Sequence, residues 1–369
     1  MELALGKTNY RQVCSMLKLI YQRPGITRKD VGDTLCIDRA MVTHIFNYLV
    51  SNNWVVSQES TAKRLPLVLN KDRIYAAGIE LQPESQVITV ANLSGELVFT
   101  KSFSDNIEDI NGFLTQKALP VLAGSGYKLA GIGIAVPGIV RQTDNTILRS
   151  VPFTQSEALQ LPESYEINGE EIPVFIDNDV RCWGWGKVAF EKERDDFLVV
   201  IQHYIEDKND ADSFSRISGG ASIFINGNPW RGAHGCAGEL PVFFRLEEFG
   251  PKGLHIPYDK KLRMKNDPET KNGVFKNAAM IVSYIATVCD VKKVYLSGFE
   301  VFDSIDLHRQ LQTYLAQYRF YPDFQSTDIF IQKSRSSDTA RGAAGFVFEE
   351  LIVRPTENEE LESRLIVRK

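Results

Sequence analysis

Carboxylate and amide side chains occur at two places where they could bind a hydroxylated ligand. The first is Asp177-Asn178-Asp179, which follows the short apolar run 174–176. The second is Glu239, which ends a stretch rich in Gly and Ala that begins at Gly219. Carboxylate and amide oxygens accept hydrogen bonds from hydroxyl groups, and small residues let a backbone approach a ligand closely. Both segments are therefore candidate ligand sites, although an ordinary structural loop also explains the small residues before Glu239.

The elements that position these residues follow an alternating strand and helix pattern. Segments 74–81, 86–92 and 97–103 predict a β-meander, which a helix over 107–122 and a buried strand over 129–136 follow. Further strands are expected at 174–176, 197–201, 221–225, 294–297 and 329–332, and helices at 272–289, 303–317 and 339–351. This pattern predicts a two-lobed α/β body, and ligands of such folds collect at the carboxyl ends of strands.

The first 70 residues, called the head below, have a different pattern. A helix is expected over 9–23, and Thr27 to Asp30 has the form of a capping box that opens a second helix. Asp38 is a good N-cap for a third helix, and two strands at 54–57 and 65–69 flank a polar loop. Helix, turn, helix and a two-stranded wing predict a winged helix-turn-helix, whose third helix enters the major groove of DNA.

The predicted DNA-contacting residues lie on the outward face of the third helix, at the start of the second and at the wing tip. They are Arg28, Lys29, Arg39, Ala40, Thr43, His44, Asn47, Lys63 and Arg64. Arg39 can bind a guanine edge or a phosphate, and Asn47 can pair with adenine. The alternative is a small helical domain with an ordinary solvated polar face.

Charge is distributed unevenly along the 369 residues. The net charge of −5 argues against a nucleic-acid binder, but the head holds nine Lys and Arg against five Asp and Glu, which gives +4. The remaining residues therefore have a net charge of −9.

A composition of 43% hydrophobic and 24% charged residues excludes wholesale disorder. A long apolar run and a signal peptide are both missing, so we expect a cytoplasmic protein. The five scattered cysteines are expected to be buried free thiols.

Taken in order, these motifs resemble the ROK family, which groups bacterial sugar-responsive repressors with sugar kinases of the actin-like ATPase (ribonuclease H-like) fold. The resemblance rests on the winged helix and on segments 64–66, 131–138, 176–179, 226–227, 237–239, 294–298 and 341–345. The winged helix is similar to that of the repressor branch. The family resemblance implies a winged helix at 1–70, a first lobe at 71–180 and a second lobe at 181–355 whose last helix packs back on the first lobe. A charged tail follows at 356–369.

Two departures from the family pattern concern ATP. The family's Asp-x-Gly-Gly-Thr turn corresponds to Glu80-Leu81-Gln82-Pro83, which lacks the glycines. In the second phosphate loop, Arg216, Ser218 and Ser222 replace three of four glycines, and only Gly220 remains. Bulky side chains at these positions should obstruct a triphosphate. We therefore expect no phosphorylation activity, no catalytic residues and no cofactor.

A third departure concerns zinc. The family places a Gly-His pair and a cysteine-rich zinc motif after the glutamate, but here Val242 stands at the histidine position and no cysteine lies between Cys236 and Cys289. A tetrahedral zinc site needs four ligands, so we expect no metal. The resemblance leaves Asn178, Asp179 and Glu239 as the sugar-binding residues.

The sequence therefore predicts a transcriptional regulator, most simply a repressor of carbohydrate-related genes. Its expected partners are a palindromic DNA operator, a sugar or sugar-phosphate effector and a second copy of the chain. Two alternatives stay open. One is a sugar kinase that phosphorylates a hexose or amino sugar, and the other is a regulator whose body serves only for dimerisation or protein docking.

Overall fold

Three helices and a two-stranded ribbon form the head, in the order of a winged helix-turn-helix. The computed structural model describes residues 7–56, 66–239, 256–321 and 323–354. The head contains α1 (Lys7–Gln22), α2 (Arg28–Leu35), α3 (Arg39–Ser51), β1 (Val55–Val56) and β2 (Val68–Leu69), with β1 and β2 antiparallel. The expected capping box of Thr27 and Asp30 opens α2, and the Asp38 carboxylate caps α3. Both predicted helix starts are therefore confirmed.

The first lobe contains a six-stranded sheet with the strand order β10-β11-β6-β3-β4-β5. Its strands are β3 (Tyr75–Gln82), β4 (Ser85–Asn92), β5 (Leu97–Phe103), β6 (Leu129–Val136), β10 (Ser164–Ile167) and β11 (Glu170–Asn178). The connection from β5 to β6 contains α4 (Ile110–Phe113), a π-helical turn (Leu114–Ala118) and α5 (Leu119–Gly124). The expected short strand over 174–176 is longer, because β10 pairs with the polar first half of β11.

Between β6 and β10 lies a small sheet that the sequence analysis did not predict. It consists of β7 (Ile139–Arg141), β8 (Thr146–Arg149) and β9 (Leu159–Gln160), in that order. These strands are two to four residues long, too short for a clear alternation of apolar and polar residues.

The second lobe contains a five-stranded sheet with the order β14-β13-β12-β15-β16. Its strands are β12 (Phe197–Glu206), β13 (Phe214–Ile225), β14 (Asn228–Pro229), β15 (Lys293–Ser297) and β16 (Asp328–Gln332), and its helices are α7 (Tyr258–Leu262), α8 (Pro268–Val288) and α9 (Ser304–Tyr318). The predicted strands at 197–201 and 221–225 were too short, because β12 and β13 pair as a hairpin beyond their apolar ends. The mixed α/β architecture is as expected.

Two helices cross between the lobes and join them. They are α6 (Asp179–Phe190), which follows β11, and α10 (Asp338–Phe348), which follows β16 and continues as a π-helical turn (Glu349–Val353). The crossing requires Gly342, where an added Cβ would lie 1.9 Å from the backbone oxygen of Cys182. α10 also packs closely on β3 of the first lobe, since a Cβ at Gly78 would lie 1.8 Å from the oxygen of Ala340.

The head packs directly on the end of this second crossing helix. Buried residues of α1 share one hydrophobic cluster with Phe348, Leu351 and Ile352. The Tyr21 hydroxyl donates a hydrogen bond to the backbone oxygen of Ala189 over 3.2 Å, at the end of α6. The head therefore contacts both helices that join the lobes. All five cysteines are free, as expected, but only Cys182 is buried: Cys36 is exposed, and Cys14, Cys236 and Cys289 are half-buried.

Candidate functional site

Asn178, Asp179 and Glu239 line one cavity between the two lobes. This cavity, called the cleft below, has a volume of about 410 Å³, within the range of small-molecule sites. Its other polar lining side chains include Gln82, Arg149, His203, Arg216 and Ser218. The sequence-predicted ligand residues are thus brought together, although Glu239 lies 60 residues beyond Asp179 in the chain.

Asn178 is engaged in local structure at both ends of its amide. Its side-chain oxygen caps α6 by accepting from the backbone N–H groups of Val180 and Arg181, over 3.0 and 3.2 Å. Its side-chain NH₂ donates to the backbone oxygen of Gly138 over 3.1 Å. This residue therefore fixes the shape of the cleft wall, and little of its hydrogen-bonding capacity remains for a ligand.

Asp179 has more capacity left for a ligand. One carboxylate oxygen accepts from the Gln82 side-chain amide over 3.0 Å, and the other accepts from the backbone N–H of Val180 over 2.9 Å. A carboxylate offers about four lone-pair positions, so Asp179 can accept further hydrogen bonds. Gln82 belongs to the turn that matched the family's first phosphate loop, and it occupies space beside Asp179.

Glu239 lies opposite, at the end of the segment that follows β14. Part of its side chain is exposed, but the surrounding protein and the Asp179 carboxylate raise its pKa, against the lowering effect of Arg181. The preceding Gly238 has φ +91°, and a Cβ there would lie 1.8 Å from the backbone oxygen of Ala221. Gly238 is therefore needed for close packing of this segment on β13, which is the structural-loop explanation that the sequence analysis left open as the alternative.

The segment that carries Glu239 is anchored by a buried ion cluster around Asp177. The Asp177 carboxylate is fully buried and accepts from Arg181 over 2.7 Å, Arg231 over 2.9 Å and the Trp185 indole over 3.1 Å. Burial alone would raise the pKa of Asp177, but the two guanidinium groups hold it below its usual value. Asp177 directly precedes the two predicted ligand residues Asn178 and Asp179, and its contacts make it a structural anchor.

Three charged or titratable residues of the cleft were missed by the sequence analysis. Arg149 lies on β8, and its side chain makes no hydrogen bond or ion pair with any described residue. His203 lies on β12, where burial lowers its pKa. Arg216 reaches across the cleft to Glu84 of the first lobe over 2.8 Å. The pairing of strands distant in sequence brings all three side chains to the cleft. Only Arg216 had a sequence signal, because it replaces a glycine of the family pattern.

Glu80 lies next to the cleft and is buried. Burial, together with the nearby Asp179 and Asp338 carboxylates, raises its pKa to about 8. Glu80 therefore binds a proton at neutral pH in the folded protein. The residue occupies the aspartate position of the family's first phosphate turn.

The outer face of α3 is polar and exposed. Arg39, Ala40, Thr43 and Asn47 are all exposed, whereas His44 is half-buried. The opposite face buries Val42, Ile45, Phe46 and Leu49 in the core of the head. Met41 and Tyr48, which border this face, are only partly buried.

The remaining predicted DNA contacts lie at the start of α2 and in the wing. Lys29 is exposed, and the Arg28 guanidinium stacks 3.9 Å above the Phe46 ring, which holds it against α3. Lys63 and Arg64 lie outside the described residues, as do Val242 and the tail 356–369. The second wing strand is held to the α1–α2 turn by hydrogen bonds of Leu67 with Gly25 and Ile26.

Across the described ranges, no helix combines the length and apolarity that a membrane span requires. Nor do three or more His, Cys, Asp or Glu side chains of the described residues group as a metal site.

The sequence is similar to a known protein family and to two repressors. Residues 77–241 match the ROK family model. A xylose repressor from Caldicellulosiruptor bescii is 26% identical over 239 residues, which cover 61% of this chain and 56% of the repressor. A xylose repressor from Bacillus subtilis is 25% identical over 256 residues, which cover 64% and 61%. The chain therefore matches less than two thirds of the length of these repressors.

Solved structures share the fold. A ROK family transcriptional regulator, a homolog of the E. coli MLC protein, superposes with a TM-score of 0.66 at 16% identity over 98% of both chains. A ROK family glucokinase from Streptomyces griseus superposes with a TM-score of 0.51 at 15% identity, over 75% of this chain and all of the kinase. The regulator thus also covers the head, which lies outside the family match at 77–241.

The Asp177 cluster gives a first prediction. Asp177→Asn keeps the shape of the side chain but leaves the buried Arg181 and the half-buried Arg231 without this counter-charge, so the free energy of unfolding should fall by roughly 3–5 kcal/mol. Denaturant unfolding monitored by circular dichroism measures this. Asp144→Asn, which removes an exposed pair with Arg141, is the matched control and should change stability little. Equal effects of both substitutions would contradict the anchoring role.

The raised pKa of Glu80 gives a second prediction. The folded state binds this proton more tightly than the unfolded state does. The proton's contribution to the free energy of unfolding is therefore complete below the pKa that Glu80 has in the unfolded chain, and it is lost as pH rises towards about 8. Glu80→Gln mimics the protonated form, so its stability advantage over the wild type should grow from about pH 4.5 to about pH 8 and then level off. Unfolding curves across this range test the prediction. A constant difference, as expected for the exposed Glu166→Gln, would refute it.

Proposed function

Because residues 77–241 belong to the ROK family, we propose that this chain is a DNA-binding transcriptional regulator, acting as a repressor, whose cleft binds a sugar. The observation that carries the proposal is the exposed polar face of α3, held on a winged helix-turn-helix that packs against both helices joining the lobes of the cleft. A kinase needs no such head.

We assign base reading to Arg39 and Asn47. Both are exposed on the same side of α3, eight residues apart, which is just over two helical turns. A guanidinium can contact guanine O6 and N7, and an asparagine amide can contact adenine N6 and N7. Lys29 and the stacked Arg28 lie at the start of α2, where we expect phosphate contacts, as we do for Lys63 and Arg64 of the wing.

Recognition of an operator also requires a second head. One α3 helix covers a half-site of a few base pairs, so we propose that a homodimer binds a palindromic operator through two-fold symmetry. This function places the protein in the cytoplasm, where its operator lies.

For the cleft, we propose a sugar that hydrogen-bonds to Asp179 and Glu239. Both carboxylates face the same cavity and retain acceptor capacity, whereas the Asn178 amide is already engaged. The relatives named xylose repressor make D-xylose the first compound to test.

We further propose that the body does not phosphorylate this sugar. In the turn matching the first phosphate loop, Gln82 contacts Asp179 and Pro83 has no N–H to donate to a phosphate. In the second, Arg216 forms an inter-lobe ion pair with Glu84. Both contacts place side chains where the kinases of this family keep glycines.

Regulation would follow from the contacts between head and body. Closing the cleft moves the lobes about α6 and α10, and the head packs on the ends of both helices. The Lys192 ammonium, just beyond α6, also lies 3.4 Å from the centre of the Tyr21 ring of the head. A sugar that favours one lobe arrangement would thereby favour one arrangement of the two heads, and only one can match the operator.

The DNA proposal predicts the effect of two substitutions. Arg39→Ala and Asn47→Ala should each weaken binding to the promoter region of the protein's own gene about tenfold or more, because a bidentate base contact contributes about 1–3 kcal/mol. Fluorescence anisotropy with labelled promoter fragments at several salt concentrations measures this.

The matched control is Lys276→Ala, which removes one exposed positive charge from α8 of the body. It should leave the affinity unchanged. If all three substitutions have the same effect, or the wild type binds promoter and unrelated DNA equally well, the assignment of α3 is wrong.

The sugar proposal predicts ligand-dependent stabilisation. At about 100 times its dissociation constant, D-xylose or another bound sugar should raise the free energy of unfolding by about 2.7 kcal/mol. Thermal-shift assays with pentoses and hexoses measure this. Asp179→Asn and Glu239→Gln should reduce the shift at a fixed sugar concentration, while the exposed Glu108→Gln should not.

The same assay separates the alternatives. A body that serves only for dimerisation or docking would show no shift with any sugar. A kinase would turn over ATP with a sugar in a coupled assay and would lose this activity in Asp179→Asn.

A further inference from the structure

A second cavity lies outside the cleft, between α6, α10 and the loop that follows β16. Its volume is about 390 Å³, also within the range of small-molecule sites. We call it the α6–α10 groove. Its wall carries four cationic side chains, Lys187, Lys333, Arg335 and Arg341, and two carboxylates, Glu191 and Asp338. Formal charge in the groove is therefore +2, in a chain whose net charge is −5.

Two of the four cations are engaged by the protein. The Lys187 ammonium donates to both oxygens of Glu191, over 2.9 and 3.0 Å. Arg341 donates through Nε to the backbone oxygen of Gly95 over 2.7 Å. Each fixed contact holds its cation in place, and neither uses every N–H of the side chain.

The other two cations are not engaged. Lys333 and Arg335 are exposed, and their side chains form no hydrogen bond or ion pair with any described residue. Both belong to the short loop between β16 and α10, directly opposite α6 in the lining of the groove. The four cations outnumber the two carboxylates of the groove, and their mutual repulsion favours binding of an anion between them.

Two neutral donors add to this positive environment. Trp183 lines the groove and is 5% exposed, and its buried indole N–H has no partner among the described residues. The N-terminus of α10 also opens here: the helix has 11 residues, and its N-cap Ser337 makes no side-chain cap. The first backbone N–H groups of a helix lack internal partners and attract anions.

Asp338, in the first turn of α10, opposes an anion least when it is protonated. Burial raises its pKa, against the lowering effect of the neighbouring Arg335 and Arg341.

We propose that the α6–α10 groove binds phosphate, either as the free ion or as the phosphate group of a small metabolite. Lys333 and Arg335 contact the anion from the second lobe, while Lys187 and the Trp183 indole N–H contact it from α6. The ligand lies between the two helices that join the lobes, so its binding stabilises one arrangement of these helices. This site is separate from the sugar cleft and uses none of the cleft side chains named above.

The test uses the full chain and isothermal titration calorimetry at constant ionic strength. The probes are inorganic phosphate, D-glucose 6-phosphate and D-glucose, with chloride as the background anion. The double variant Lys333→Ala/Arg335→Ala should weaken phosphate binding at least tenfold. Its control, Lys208→Ala/Lys276→Ala, removes the same charge from exposed positions elsewhere and should bind as the wild type does.

Trp183→Phe provides an independent variant, because it keeps a six-membered aromatic ring and removes the indole N–H together with the rest of the five-membered ring. It should weaken phosphate binding severalfold without changing the thermal unfolding midpoint by more than a few degrees. Tighter binding of glucose 6-phosphate than of phosphate identifies a sugar phosphate as the ligand, and equal binding identifies the free ion; both support the site.

Three results would overturn the proposal. The first is that phosphate binds neither the wild type nor the double variant at millimolar concentration. The second is that phosphate binds the wild type and Lys333→Ala/Arg335→Ala with equal affinity. The third is that this double variant loses operator affinity while its phosphate binding is unchanged, which would make the groove a DNA contact.

Discussion

The candidate site depends on one buried carboxylate, that of Asp177. It accepts hydrogen bonds from Arg181 in the first turn of α6, from Trp185 one turn later and from Arg231 in the segment that leads to Glu239. The start of α6 and a segment 54 residues further along the chain are thereby held at the end of one strand. A buried charge of this kind is stable only with its partners in place, so the start of α6 and the segment that leads to Glu239 are held together before a ligand binds.

The second constraint is the close crossing of α6 and α10. At Gly342 the helices approach so closely that no side chain fits, and α10 lies equally close to β3. The lobes are thus joined by two helices in direct backbone contact, and the head packs on the far ends of both. A change of lobe arrangement therefore changes the support on which the head rests. This arrangement is the physical basis of the proposed coupling between the cleft and the head.

Local sequence signals predicted what depends on neighbouring residues. The capping box of Thr27 and Asp30, the Asp38 cap and the exposed face of α3 all follow from spacing along the chain. Asn178 and Asp179 were placed correctly at a strand end, since an apolar run precedes them. The same spacing could not show that the Asn178 amide is used for capping and for Gly138, because the second partner lies 40 residues earlier.

Contacts between distant segments were beyond the sequence. Arg149 reaches the cleft from a strand of four residues, and Arg216 pairs with Glu84 across 132 positions. The positions of Trp183 and Lys187 beside the loop after β16 also required the fold.

The central claim, that the cleft and the head are coupled, is tested most directly by sugar titrations with and without saturating operator DNA. Coupling of the cleft and the head predicts that operator DNA weakens sugar binding by the same factor by which sugar weakens operator binding. A sugar affinity that is unchanged by bound operator would contradict it.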